Sequence, residues 1–195
     1  MKSFRILLIV LLAVFSGSLK AQPNKEANGL ARRGTEEAKN QQWDDAVDDL
    51  RKATQLDRKY APSLVAALQG RAAANMAEQK FNEAAADYDE ALKLNPHSPG
   101  ALEGRASVAM KSHDMDKALA AYSELIKINP NEIRYYLYRG YILELNGDLK
   151  NSMADTEKAL KIQKDNPDAI ARKNRLQTRM AQEAPPPTPP PPKKH

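Results

Sequence analysis

Two stretches of this chain are copies of one another. Ala84–Pro96, AAADYDEALKLNP, recurs 34 residues later as Ala118–Pro130, ALAAYSELIKINP. In each, a small residue (Ala84, Ala118) is followed four positions on by a tyrosine (Tyr88, Tyr122), and seven on by Ala91 or Leu125. That spacing is one face of a helix. Twelve positions on stands the proline of an Asn-Pro pair, which has no amide hydrogen and disfavours helix in the residue before it. Asn95-Pro96 and Asn129-Pro130 therefore end these helices and begin turns. Upstream of each copy a second helix carries its own small residue, so the two helices form an antiparallel pair.

The pairing of small residues twelve apart occurs four times: Gly34 with Ala46, Ala72 with Ala84, Ala106 with Ala118, and Gly140 with Ser152. With the tyrosines and the closing prolines, these positions resemble the tetratricopeptide repeat, a helix-turn-helix of about 34 residues with the pattern W-x₂-L-G-x₂-Y…A-x₃-F…P. The middle two copies match well. The outer two have Leu50 and Thr156 at the aromatic position and reach Pro62 and Pro167 late, which predicts a longer helix or a looser turn. The resemblance covers about residues 27–167. It implies an all-α fold, a right-handed superhelical solenoid of four repeats (about 27–61, 62–98, 99–132 and 133–166) closed by a capping helix over 167–183.

Glycine and alanine at the contact let helix backbones approach closely; a leucine at Ala84 or Ala118 would overpack the joint at a cost of about 1–3 kcal/mol. Gly147 is expected to supply a positive φ at a helix end. Asp44, Asn82, Asp116 and Asp148 lie near second-helix starts and are expected to cap free amides there. The residue before the small position is arginine in all four copies: Arg33, Arg71, Arg105 and Arg139. Sixteen residues later stand Asp49, Asp87, Ala121 and Asp155. Antiparallel geometry puts these positions at similar heights, which predicts three structural ion pairs. Arg105, lacking such a partner, is the arginine most available to an anionic ligand.

The first 21 residues read as a secretory signal peptide: Lys2 and Arg5, an apolar run from Ile6 to Phe15, then small or polar residues to Ala21. No cysteine follows to carry a lipid, so an exported protein, periplasmic or secreted, is expected, and one that does not span the membrane when mature. The net charge of +5 belongs to the ends. Residues 22–184 hold 25 basic and 25 acidic side chains, which argues against nucleic acid as a partner. The absence of cysteine removes disulfides, thiolate nucleophiles and zinc-finger spacing. In the last helix Ile170, Leu176 and Met180 form the apolar side expected to cover the final repeat, with arginines and lysines elsewhere. Residues 185–195, PPPTPPPPKKH, read as a stiff polyproline segment, a spacer or a ligand for another module.

Nothing in the sequence assembles a catalytic set. His97 and His113 fall in turns, no Gly-rich phosphate loop follows a strand, and the cluster Asp44, Asp45, Asp48 and Asp49 reads as a solvated helix start. No enzyme activity, cofactor or metal is expected. What remains is recognition. The resemblance implies that first helices line an inner surface, here carrying Gln69, Gly70, Glu103, Gly104, Ser107, Arg134, Tyr138 and Tyr141 as candidate ligand-binding residues. An extended peptide of a protein partner would run its backbone near Gly70 and Gly104 and set an apolar side chain against Tyr138 and Tyr141. Packing of those tyrosines against the capping helix is the competing reading. The carboxylate clamp by which some family members hold chaperone C-termini does not carry over, because its positions here are Ala31, Thr35, Gly70, Gly100 and Gly104. The alternative ligand is an envelope glycan or anionic lipid held by Arg105 and the basic last helix.

Overall fold

A computed structural model of the chain describes residues 24–183. Among these residues the fold is all helical: α1 (Lys25–Lys39), α2 (Trp43–Leu56), a 3₁₀ turn (Arg58–Tyr60), α3 (Ala61–Ala77), α4 (Phe81–Leu94), α5 (Pro99–Lys111), α6 (Met115–Ile128), α7 (Ile133–Leu145), α8 (Leu149–Ile162) and α9 (Pro167–Glu183). The leader expected over 1–21 and the proline-rich segment over 185–195 lie outside the described residues. No described helix is long and apolar enough to cross a membrane. Two compact units divide within α3, between Ala67 and Leu68.

In the first unit α1 and α2 form a hairpin whose buried seam is Ala27, Ala31, Ala46, Val47, Leu50 and Ala53. In the second unit packing is serial: α4 meets α5, α5 meets α6, and so on to α8 against α9. One apolar cluster joins Leu102, Ala106 and Ala109 of α5 to Ala118, Ala121, Tyr122 and Leu125 of α6, and to Tyr135 and Ile142 of α7. All eight small-joint residues are buried. Where the small residue is serine, its hydroxyl is satisfied locally: Ser152 Oγ donates to the Gly140 carbonyl at 2.7 Å. A buried hydroxyl with no acceptor would be costly.

The turn inside each pair repeats one backbone solution. Gln41, Gln79, His113 and Gly147 have φ of 60°, 61°, 57° and 79°. Gly147 meets the expectation, and three side-chain-bearing residues adopt the same left-handed state, which costs an L residue about 1–2 kcal/mol relative to right-handed helix. Capping differs from the sequence expectation. Asp148 accepts from the Asn151 amide, but at α6 the cap is Asp114, accepting from Lys117, while Asp116 lies in the first turn. The preceding Gln42 and Lys80 start α2 and α4 without a side-chain cap, so Asp44 and Asn82 already sit inside their helices.

The outer prolines also play another part. Pro167 opens α9 and Pro62 lies in the first turn of α3, positions where a missing amide hydrogen costs no intrahelical bond. The turn before α9, residues 163–166, is as long as those at 95–98 and 129–132. At the first repeat the extra residues enter the 3₁₀ turn and a longer α3, 17 residues against 13 in α5 and α7.

The three predicted ion pairs form. Arg33 meets Asp49 through Nε and, at 2.7 Å, through Nη2. Arg71 holds Asp87 at 2.9 and 2.7 Å, and Arg139 holds Asp155 at 2.8 and 2.7 Å. Each is a fork-to-fork contact, which fixes orientation as well as charge. Arg105 is not free. It reaches back to Asp89 of α4 at 2.5 Å, and Arg139 makes the corresponding contact, donating to Ser123 of α6 at 3.1 Å. A first-helix arginine thus meets positions sixteen residues away in both directions, because the preceding second helix lies on its other flank.

Candidate functional site

The last first-helix, α7, carries residues of two kinds. Tyr135, Tyr136, Gly140, Ile142 and Glu144 are buried. Arg134, Tyr138, Tyr141 and Leu145, spaced as i, i+4, i+7 and i+11, form the opposite stripe, with Tyr138, Tyr141 and Leu145 51%, 41% and 54% exposed. Tyr138 is braced from one side: its ring stacks on Tyr122 of α6, centroids 5.3 Å apart and planes 21° from parallel. Burial raises the Tyr122 phenol to about 12, so it stays neutral and serves as a platform. Tyr138 therefore offers an ordered aromatic surface to solvent.

Arg134, Leu137, Tyr138 and Tyr141 form one wall of a hollow of about 410 Å³ whose other wall is Asp168, Ala171, Arg172 and Arg175 of α9. Of the three apolar residues expected to pack α9, only Leu176 does so. Ala169, Arg172 and Leu176 are buried, whereas Ile170 and Met180 are 41% and 39% exposed. What turns the helix is Glu144, a buried carboxylate at the end of α7. Arg175 grips it with two bonds at 2.7 and 2.9 Å, and Arg172 and Arg179 approach at 3.6 and 3.7 Å. Arg172 also donates to the Leu137 carbonyl at 2.6 Å. Hydrogen bonds from Arg175, opposed by burial, hold the Glu144 carboxyl below the usual carboxylate range. Leaving a buried charge unpaired costs more than exposing an isoleucine, so the arginines set the helix's rotation.

The sequence-selected residues divide. Arg134, Tyr138 and Tyr141 line the hollow. Glu103 stands beside it, accepting from Tyr135 Oη at 2.6 Å and lying 3.7 Å from Arg134, which is held by Glu132 at 3.1 Å. Ser107 is exposed on α5, outside the hollow. Gln69 reaches Ser98 Oγ at 3.4 Å, and its amide end also lies where a side chain at Gly100 would go. Gly70 is half-buried in α3. The open backbone expected at Gly104 is covered: a Cβ there would collide with the ring of Tyr88. Gly104 makes room for a tyrosine of its own chain. The sequence offers the basic last helix as a glycan or lipid site and as a cover for the tyrosines; in the structure Asp168, Ala171, Arg172 and Arg175, on one helical face, instead form the second wall of the hollow. Among the described residues no cluster of histidines and acids could hold a metal ion.

Comparison with known proteins follows the same lines. Profiles described as tetratricopeptide repeat match residues 32–99, 75–138 and 133–166, together spanning 32–166. No curated protein matches the chain. Among solved structures, a tetratricopeptide repeat protein from Parabacteroides merdae superposes with a TM-score of 0.62 at 20% identity, over 82% of this chain and 62% of that one. MamA RS-1, an ArsTM double mutant, gives 0.58 at 15% identity, over 82% of this chain and 87% of that one. The first such domain of Spaghetti (RPAP3), bound to the HSP90 peptide SRMEEVD, gives 0.55 at 19% identity, over 60% of this chain and 93% of that one. With small-residue joints, serial helix packing and three overlapping profile matches in agreement, this chain belongs to the tetratricopeptide repeat family.

Proposed function

We propose that this protein is a non-catalytic scaffold that binds an extended peptide or protein segment along α5 and α7, with the hollow between α7 and α9 as its anchor site. One observation carries the reading: two tyrosines, 51% and 41% exposed, border the same hollow, and one is held in place by a ring stack. Ordered aromatic surface next to a recess is what a binding hot spot consists of. Ligand binding is assigned to Arg134, Tyr138 and Tyr141, with Glu103 and Ser107 alongside, and Gln69, Gly70 and Gly104 at the margin. The peptide-bound RPAP3 domain supports the choice of ligand class. Ala31, Thr35, Gly70, Gly100 and Gly104 lack the clamp's charged and amide groups, so the ligand differs from a chaperone tail.

The leader pattern supports an exported protein, periplasmic or secreted, working in cell-envelope assembly. Arg105 is paired with Asp89, and Arg172, Arg175 and Arg179 gather on Glu144, so the arginines a glycan or anionic lipid would use already face carboxylates. Crosslinking the mature protein in its native envelope, alone and as Tyr138→Ala and Tyr141→Ala, tests the proposal. Loss of the same partner in both variants is the expected result. Partners unchanged in both would reject the site.

A further inference from the structure

We propose a second docking site, in the first unit: a recess beside Trp43, continuous with Arg32, that receives a peptide segment pairing a large apolar side chain with an acidic one. It rests on the reading that this scaffold takes extended peptides, and it uses none of the residues of the α7–α9 hollow. Two recesses adjoin along α1 and share Thr35, Lys39 and Ser63. The first, of about 350 Å³, is walled mainly by hydrocarbon from Ala38, Leu50, Ala66, Ala67 and the ring of Trp43. Ala38, Ala66 and Ala67 are too short to fill the space that the tryptophan ring borders. Trp43 opens α2 and is only half-buried, so the protein's own side chains do not seal its indole. The second recess, of about 340 Å³, carries the polar groups of Asn28, Arg32, Glu36 and Tyr60. The Tyr60 hydroxyl donates to the Asn28 side chain, which ties the 3₁₀ turn to α1 and gives this recess a formed wall.

Charge selects the other half of the ligand. Arg33, Arg71, Arg105, Arg139, Arg172 and Arg175 all meet carboxylates. Arg32 does not: it is exposed, and among the described residues it has no hydrogen-bond or ion-pair partner. Lys39, the other cation here, touches Glu36 at 3.1 Å in a pair whose side chains are 67% and 64% exposed. Such a surface pair is weak and yields to a competing carboxylate. Two cations against one acid leave the recess positive, and an acidic side chain complements it. A lipid phosphate or a charged glycan would use the cation and leave the hydrocarbon beside Trp43 uncovered, whereas a peptide uses both. Spacing fixes the motif. Arg32 and Ala38 are six residues apart on α1, about 9 Å at 1.5 Å per residue, and an extended chain covers that in about three residues at 3.3 Å each. The matching segment has a leucine or phenylalanine three positions from an aspartate or glutamate.

The site carries its own reporter, because Trp43 is the single tryptophan of the chain. The probes are the peptide Gly-Leu-Ser-Ser-Glu-Gly and its reverse, blocked at both ends, titrated into the mature protein while tryptophan emission is followed. A saturable shift to shorter wavelength with at least one of the two is expected. Changing the probe's glutamate to glutamine, or its leucine to glycine, should weaken binding about tenfold. Arg32→Ser and Ala66→Gln, both at exposed positions, should do the same, with circular dichroism confirming the helices, while Tyr138→Ala/Tyr141→Ala should bind the probe as the parent does. Emission that no probe moves, or a shift that survives both the glutamine probe and Arg32→Ser, would overturn the proposal. So would a shift produced by phosphatidylglycerol vesicles and not by the peptides, which would give the recess to a lipid surface. If the probes fail while envelope partners still depend on Tyr138 and Tyr141, this second site falls and the peptide-scaffold reading stands.

Discussion

The first and last helical pairs are built to one plan and held by different forces. Each sets a glycine of its first helix against the second, and each places an arginine before that glycine on an aspartate sixteen residues later. At Gly34 a Cβ would stand 2.8 Å from Leu50 Cγ and 3.0 Å from the Ala46 carbonyl oxygen; at Gly140 the nearest atoms, of Arg172 and Asp155, are at 3.3 Å. Hydrocarbon closes the first joint. A serine hydroxyl, bonded to the Gly140 carbonyl, and the buried Arg172 close the last. The arginines differ likewise: the side chain of Arg33 is 62% exposed, that of Arg139 is 25% exposed and also bonded to Ser123. The same residue pattern is an outer clasp in one place and a half-buried strut in the other.

That contrast is broken most sharply by removing the aspartates. Asp155→Ala leaves Arg139 without its main partner inside the packing and should cost about 3 kcal/mol, whereas Asp49→Ala, releasing an arginine into water, should cost much less. Urea melts of the two variants followed by circular dichroism give the ranking. Equal losses would mean that exposure does not decide the worth of these pairs.

The glycines sharpen it. Gly34→Ala drives a methyl into the buried Leu50 and a backbone carbonyl, an overpacking cost of about 1–3 kcal/mol that exceeds the roughly 1 kcal/mol gained in helix propensity. Gly140→Ala meets only a tight contact with a guanidinium end and Asp155 Cβ, so the propensity gain should leave stability unchanged or slightly raised. Thermal melts of both test the sign.

Acid acts on both pairs in the same direction. The Asp49 carboxyl, held down mainly by its bond from Arg33, and Glu144, held down by Arg175, have folded pKa values below their unfolded ones. Each therefore contributes stability above the unfolded value of about 4, and that contribution fades as pH falls through the folded value. Stability should fall on acidification below about pH 4, and Glu144→Gln should flatten the loss at α9, seen as faster amide exchange there already at neutral pH.

The smallest effects belong to the turns. Gln41→Gly, with φ at 60°, should stabilise the first pair by about 0.5–1 kcal/mol, and Gly147→Ala should destabilise the last by a similar amount. Denaturant midpoints measured side by side would check that the four turns need one conformation.

Much of this was legible because it is local and repeated. Buried joints at Ala72, Ala84, Ala106 and Ala118, the partners of Arg33, Arg71 and Arg139, and the left-handed Gly147 all follow from spacing within one helical pair. Errors arose where a residue's neighbour belongs to the adjoining pair. Arg105 finds Asp89 on the preceding helix, and Gly104 accommodates Tyr88 from that same helix. The rotation of α9 is not legible locally, because its apolar pattern points to Ile170 and Met180 while Glu144, 28 residues before Arg172, sets the helix's orientation. The repeat pattern makes Pro62 and Pro167 late closing prolines, though the same missing amide hydrogen suits a helix start.

Sequence alone determined the period, the helical pairing and which residues are too small to be anything but joints, since these depend on backbone sterics and on contacts within a single repeat. Tertiary structure decided which way α9 turns, which arginines are spent, and that Tyr138 and Tyr141 border a hollow. Those outcomes depend on the competition among charges and rings brought together from different repeats, and the energy of an unpaired buried charge outweighs any local preference.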